Sequence, residues 1–224
     1  MINLVFDYDG TIHDPVRIFA PAFRDTFGKY IAEHGGSLDD WPDSRIASWF
    51  GVSMDIMYAE LSDHVEKEKI KELMDAMSVN VRARMFSGER TLYDGAEEIL
   101  SELKNSGFHM MLFSKCDRQH IERQRRALPL DKYFDDIFCT GDFGDAGTDK
   151  AEVFPNIKLL FPDNYIIIGD RKQDMDIARR SSLPAVGCAY GYGSEDELIG
   201  ATAVAESISD IPRLVNEINC RFGW

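Results

Sequence analysis

Five short apolar runs, spaced along the chain and separated by helical patterns, set the strongest limit on the fold. Residues 2–6, 109–113, 136–139, 165–168 and 185–189 each read as a strand, and the fourth, Tyr165-Ile166-Ile167-Ile168, contains no charged residue. Runs without a polar alternate face belong to strands buried on both sides. Between Gly95 and the second run, Ala96, Ile99, Leu100 and Leu103 recur at helical spacing, and Asn105-Ser106-Gly107 supplies a stop. Strand, helix, strand in this order predicts an α/β fold, a parallel sheet with helices on both faces. At 224 residues and 44% hydrophobic, the chain can bury such a core as one large domain or a domain with a smaller insert.

One region breaks the alternation. Residues 15–92 hold no convincing strand pattern, whereas Ile70, Leu73, Met74, Met77, Val81 and Met85 share one face of a helix, as in a bundle. We expect an all-helical domain at 16–89 inserted into a core formed by 1–15 and 90–224, with hinges near 12–16 and 87–94.

A formal net charge of −14 excludes non-specific attraction to nucleic acid or to an anionic membrane surface, though a small local site can still take an anion. Cys116, Cys139, Cys188 and Cys220 are far apart, with neither a C-x-x-C pair nor zinc spacing, and read as reduced packing residues. The apolar runs are too short to cross a bilayer and no secretory signal opens the chain. The expectation is a cytoplasmic protein with no membrane or nucleic-acid partner, either a monomer or a homodimer.

The chemistry gathers where strands end. Asp7 and Asp9 follow the first run, at the edge where open α/β sheets hold ligands. If the chain stays extended to Asp9, both carboxylates point to one side, and their repulsion calls for a divalent cation or a proton. An Asp-x-Asp-Gly is equally compatible with a plain turn. Asp170 and Asp174 repeat the arrangement after Ile166-Ile167-Ile168-Gly169; the bland alternatives are a helix cap and a first-turn acid. Ser114 ends the second strand, where it either holds an anionic oxygen or is an ordinary N-cap. Lys150 opens a helix after the loop 141–149, although the helix dipole favours lysine at the other end.

Read together, these four places resemble the haloacid dehalogenase superfamily of phosphohydrolases. "DYDGT" is similar to its first motif, Ser114 in "LFSKCD" to its second, Lys150 to its third and "GDRKQD" to its fourth. The likeness spans nearly the whole chain and points to the branch with a helical cap after the first strand, which includes phosphoglycolate phosphatase and β-phosphoglucomutase. It implies a Rossmann-like core with strand order 3-2-1-4-5.

That resemblance also implies roles. Asp7 is the nucleophile that forms an aspartyl-phosphate, and Asp9 is the acid and then the base. Magnesium is held by Asp7, the Asp9 backbone carbonyl and Asp170, with Asp174 in support. Ser114 and Lys150 hold the transferring oxygens, Lys115 adds a cation beside the substrate, and Thr11 orients Asp9 or the phosphate. The implied substrate is a small phosphorylated metabolite: phosphoglycolate-like, a sugar phosphate or a nucleoside monophosphate.

Asp9 argues against a true dehalogenase, which lacks the second acid, and against the ion-pumping ATPases, which carry threonine there. Thr11 leans toward a phosphatase over a mutase, whose motif often has valine. Tyr8 replaces a common leucine and Ala151 a common proline, and neither change removes a reacting group. A phosphoryl-transfer mutase and a non-catalytic binding module on the same fold remain alternatives. In the insert, Arg45 is either a second anion contact or a solvated arginine, while Trp49 and Phe50 read as helical core. The basic run 118–126 reads as the solvated face of a helix.

Overall fold

The computed structural model describes residues 1–50, 54–87, 91–144 and 148–224. Parts of the expected second hinge, of the loop 141–149 and of the segment 44–52 lie outside the described residues. The chain divides into two compact units, one formed by Met1–His13 with Leu92–Trp224 and the other by Asp14–Thr91.

The first unit is built on a six-stranded sheet: β1 (Ile2–Phe6), β2 (His109–Ser114), β3 (Asp136–Cys139), β4 (Asn164–Gly169), β5 (Ala185–Cys188) and β6 (Ala203–Ala205). Its order is β3-β2-β1-β4-β5-β6, with every pair parallel. The expected order is therefore extended by β6, whose three residues are too few to register as an apolar run. Alternation along the strands feeds two cores. Leu4, Phe6, Met110, Leu112, Ile166 and Ile168 face helices Ala96–Asn105 and Ile211–Phe222. Val5, Met111, Phe113, Tyr165 and Ile167 face helices Lys150–Leu160 and Lys172–Ser181. Each such aliphatic or aromatic side chain contributes about 1.5–3 kcal/mol by leaving water, so both faces anchor the central strands. Register then sets the site: Phe6 pairs with Leu112 on one side and Ile168 on the other, so Asp7 emerges between the ends of β2 and β4.

The second unit is helical: Val16–Glu33, Asp43–Ala47, Met54–Leu61 and Lys67–Phe86. In the last of these Ile70, Leu73, Met74, Met77 and Met85 are buried and Val81 is half-buried. Phe23 gathers Phe27, Trp41 and Trp49 around it, with ring centroids 4.8–5.5 Å away. Trp49 is thus core, and Phe50 sits edge-on to Phe19. Among the described residues, no helix is long and apolar enough to cross a membrane.

Candidate active site

Three carboxylates meet at the carboxyl ends of β1 and β4. Asp7, Asp170 and Asp174 are all buried, and an oxygen from each lies within 4.8 Å of the others. Asp7 is held by its own backbone, whose N–H donates to the Ile168 carbonyl at 2.8 Å. The Lys150 ammonium, fully buried, donates to Asp7 Oδ1 and, at 2.8 Å, to Asp174 Oδ1. Asp149 prepares this lysine by capping its helix through the Ala151 N–H, 2.9 Å away. The other oxygen of Asp174 accepts the Arg171 N–H, so it is a first-turn acid and a partner of Lys150 at once.

The electrostatics follow from burial. Desolvation pushes the Asp7 carboxyl well above the usual range; Lys150 opposes the shift while Asp174 and Asp170 add to it. Burial, with Asp174 adding, raises Asp170 to about 7 against the pull of the Tyr192 N–H and the Thr11 hydroxyl. For Lys150 burial disfavours the charge, but Asp174 and Asp7 outweigh it and its pKa moves up. Three carboxylates against one ammonium leave an excess of negative charge that a hard cation balances. An all-oxygen donor set without sulfur or imidazole fits magnesium.

Glycines let the acids approach. Gly10 has φ +88°, and a Cβ there would lie 2.2 Å from Asp170 Oδ2. A Cβ on Gly169 would meet Asp174 Cγ at 2.3 Å, and one on Gly193 would meet the Asp170 carbonyl oxygen at 1.8 Å. Gly193 and Gly191 belong to the segment after β5 that reading the sequence left without a task; a glycine carries no mark of which distant chain will pass it.

Two placements differ from expectation. Asp9 is not in an extended strand. After Phe6 the chain turns, with the Ile12 and His13 N–H groups donating to the Tyr8 carbonyl at 3.1 and 3.0 Å, and the Asp9 carboxylate meets His13 Nδ1 at 2.7 Å instead of joining the three-acid cluster. Burial raises the Asp9 carboxyl, yet the His13 contact outweighs it and leaves the pKa below the usual value. Thr11, buried, donates its hydroxyl to Asp170 Oδ1 at 3.1 Å rather than to Asp9, across 159 positions of sequence. Its carbonyl accepts the Tyr190 hydroxyl at 2.7 Å.

The remaining candidates divide. Ser114 is buried at the end of β2, and its Oγ accepts the Cys116 N–H at 3.2 Å. Lys115 is exposed. Arg45 is engaged inside the helical unit: it bonds Glu60 and the Asp40 carbonyl and lies 3.8 Å over the Trp41 ring. It is therefore not a solvated arginine, and its guanidinium already has a carboxylate. The basic run after Ser114 is balanced by acids, with Arg118 on Asp142 and Arg125 on Asp131 and Glu122.

Comparison with known proteins agrees in class. A family model described as haloacid dehalogenase-like hydrolase matches residues 4–188. The phosphoglycolate phosphatase of Mannheimia succiniciproducens is 21% identical over 196 residues, covering 84% of this chain and 85% of that one. A haloacid dehalogenase-like family hydrolase from Streptococcus pneumoniae superposes with a TM-score of 0.70 at 22% identity, covering 95% and 97% of the two chains. A Thermotoga maritima protein provisionally titled β-phosphoglucomutase superposes with a TM-score of 0.74 at 18% identity, covering 97% and 100%. At these identities the solved structures speak to the fold alone.

Proposed function

The chain belongs to the haloacid dehalogenase-like hydrolase family, and from that membership we propose that it is a magnesium-dependent phosphatase acting on a small phosphorylated metabolite in the cytoplasm. The observation that carries this reading is the buried convergence of Asp7, Asp170, Asp174 and Lys150 at the ends of two neighbouring strands.

In this reading an oxygen of Asp7 attacks phosphorus, the bond from phosphorus to the leaving oxygen breaks, and an aspartyl-phosphate forms. Asp9 gives a proton to the leaving oxygen, then takes one from the water that attacks the aspartyl-phosphate and frees Asp7 with inorganic phosphate. A bound dianion favours the protonated form of Asp9 by like-charge repulsion, which counters the pull of His13. Lys150 holds the attacking carboxylate in place and offers its charge to the transferring oxygens, and Ser114 at the end of β2 binds another of them. Thr11 keeps Asp170 oriented. Asp7, Asp170 and the Asp9 carbonyl would hold magnesium with Asp174 beside them, and the bound cation offsets the repulsion between Asp7 and the phosphate dianion. Lys115, exposed and next to Ser114 in the chain, is given the role of a cation for the substrate.

The test is phosphate release from p-nitrophenyl phosphate and from a panel of phosphoglycolate, hexose phosphates and nucleoside monophosphates. Native chain and Asp7→Asn are compared with magnesium and with EDTA. Turnover that needs magnesium and vanishes in Asp7→Asn is expected. Metal-independent turnover, a fully active Asp7→Asn, or an isomerised hexose phosphate in place of free phosphate would overturn the reading.

A further inference from the structure

The Asp9 carboxylate has a partner that the scheme above does not use. His13 Nδ1 lies 2.7 Å from Asp9 Oδ1, and the imidazole is 1% exposed while the Asp9 side chain is 32% exposed. An ionised carboxylate can only accept, so the bond fixes the tautomer: Nδ1 carries the hydrogen. The ring is clamped as well. It lies flat on Tyr8, with centroids 4.6 Å apart and planes 6° from parallel, and Tyr8 is itself fully buried in the core. The backbone of His13 closes the turn that presents Asp9: its N–H donates to the Tyr8 carbonyl at 3.0 Å and its carbonyl accepts the Gly10 N–H at 2.8 Å. Nε2 is buried with no hydrogen-bond partner among the described residues. Burying an imidazole with one nitrogen unpaired costs free energy. Among the described residues, the bond from Nδ1 to Asp9 is thus the single hydrogen bond of this buried ring, and the packing of Tyr8 serves to aim it.

We propose that His13 is a positioning residue for Asp9: its Nδ1–H holds Oδ1, fixes the carboxyl in one rotamer and leaves Oδ2 to exchange the proton with the leaving group and with water. The inference rests on the acid–base role given to Asp9 above. Proton transfer needs its donor within hydrogen-bond reach of the reacting oxygen, and a carboxyl on a turn, unheld, spends its time across several rotamers.

Two variants separate this role from a merely structural one. His13→Phe keeps a flat ring for Tyr8 and removes the donor, whereas His13→Asn puts an N–H back near the position of Nδ1. With magnesium present, kcat/KM is measured for an alkyl phosphate, whose leaving alkoxide needs a proton, and for p-nitrophenyl phosphate, whose leaving group does not. His13→Phe is expected to lose about 100-fold on the alkyl ester and less than about threefold on the aryl ester, and His13→Asn to recover about tenfold of the alkyl loss. Equal losses on both esters, or no loss on either, would overturn the proposal. If His13→Phe does not fold, His13→Asn is compared with His13→Gln, which sets its donor at the wrong end; equal alkyl turnover by the two would overturn it too. A native chain that cleaves neither ester overturns the phosphatase reading and this inference with it, while a native chain that cleaves both beside an unaffected His13→Phe overturns this inference alone.

Discussion

Gly191 lies so close to Asp170 that a Cβ on it would sit 2.3 Å from the Asp170 Cβ and 2.5 Å from the Gly10 carbonyl oxygen. Neither neighbour is the free end of a flexible side chain; one is the stem of a buried acid and the other is backbone. The same loop also bonds the acid, through the Tyr192 N–H on Asp170 Oδ2 at 2.8 Å. Gly191→Ala must therefore displace Asp170. Magnesium activation is expected to need about 10- to 100-fold more metal, and stability to fall by about 1–3 kcal/mol. Magnesium titration of turnover and urea unfolding in EDTA measure the two effects, and a variant unchanged in both would show that the loop yields freely.

Lys150→Met keeps the volume of the buried stem and removes the charge. It leaves Asp7 and Asp174 facing each other and Asp170 with no ammonium among them. Removing one partner of a buried ion pair costs about 3–5 kcal/mol, so the variant is expected to unfold at clearly lower urea in EDTA at neutral pH. Turnover should fall at least about 100-fold, because the proposed mechanism places the Lys150 charge beside the transferring oxygens. Native stability with native turnover would contradict both halves.

The strand-end positions of the candidate site are legible in the sequence. Asp7, Ser114 and Asp170 each terminate an apolar run, and a parallel sheet brings such ends to one edge. Lys150 stood out because its position defies the helix dipole. What escaped was set by folding back rather than by period. Asp9 leaves the strand because three successive N–H groups, of Thr11, Ile12 and His13, close on the Tyr8 carbonyl, and a turn of that kind can be built from many sequences. Thr11 finds Asp170, and Gly191 and Gly193 pack against it, only after β1, β4 and β5 are side by side. β6 was missed because Ala203-Val204-Ala205 owes its place to pairing with β5 rather than to its own pattern.

If Asp7, Asp170 and the Asp9 carbonyl hold magnesium as proposed, the cation binds the folded chain and not the unfolded one, and it raises stability. At magnesium about 100-fold above its dissociation constant the gain is about 2.7 kcal/mol. Thermal unfolding followed with and without magnesium should show an upward shift in the native chain and little or none in Asp170→Asn. An equal shift in both would place the binding elsewhere.

Glu60 ties the helical unit together through charge, and pH should expose it. Its carboxylate accepts the Trp49 Nε1–H and the Arg45 Nε–H. Burial pushes its pKa up, but the Trp49 and Arg45 contacts outweigh this and bring it below the ordinary 4.5. A carboxyl lowered by folding contributes stability that is present above its unfolded pKa and is lost as pH falls through the folded one. Glu60→Gln should therefore cost about 1–3 kcal/mol at pH 7, and the gap to the native chain should close on acidification below about pH 4.5. Trp41 and Trp49 are both buried in this unit and Trp224 lies in the other, so tryptophan fluorescence in urea, with Trp224→Phe as the background, reads its unfolding. A gap that stays constant down to pH 3 would mean that the packing of residue 60, and not its charge, does the stabilising.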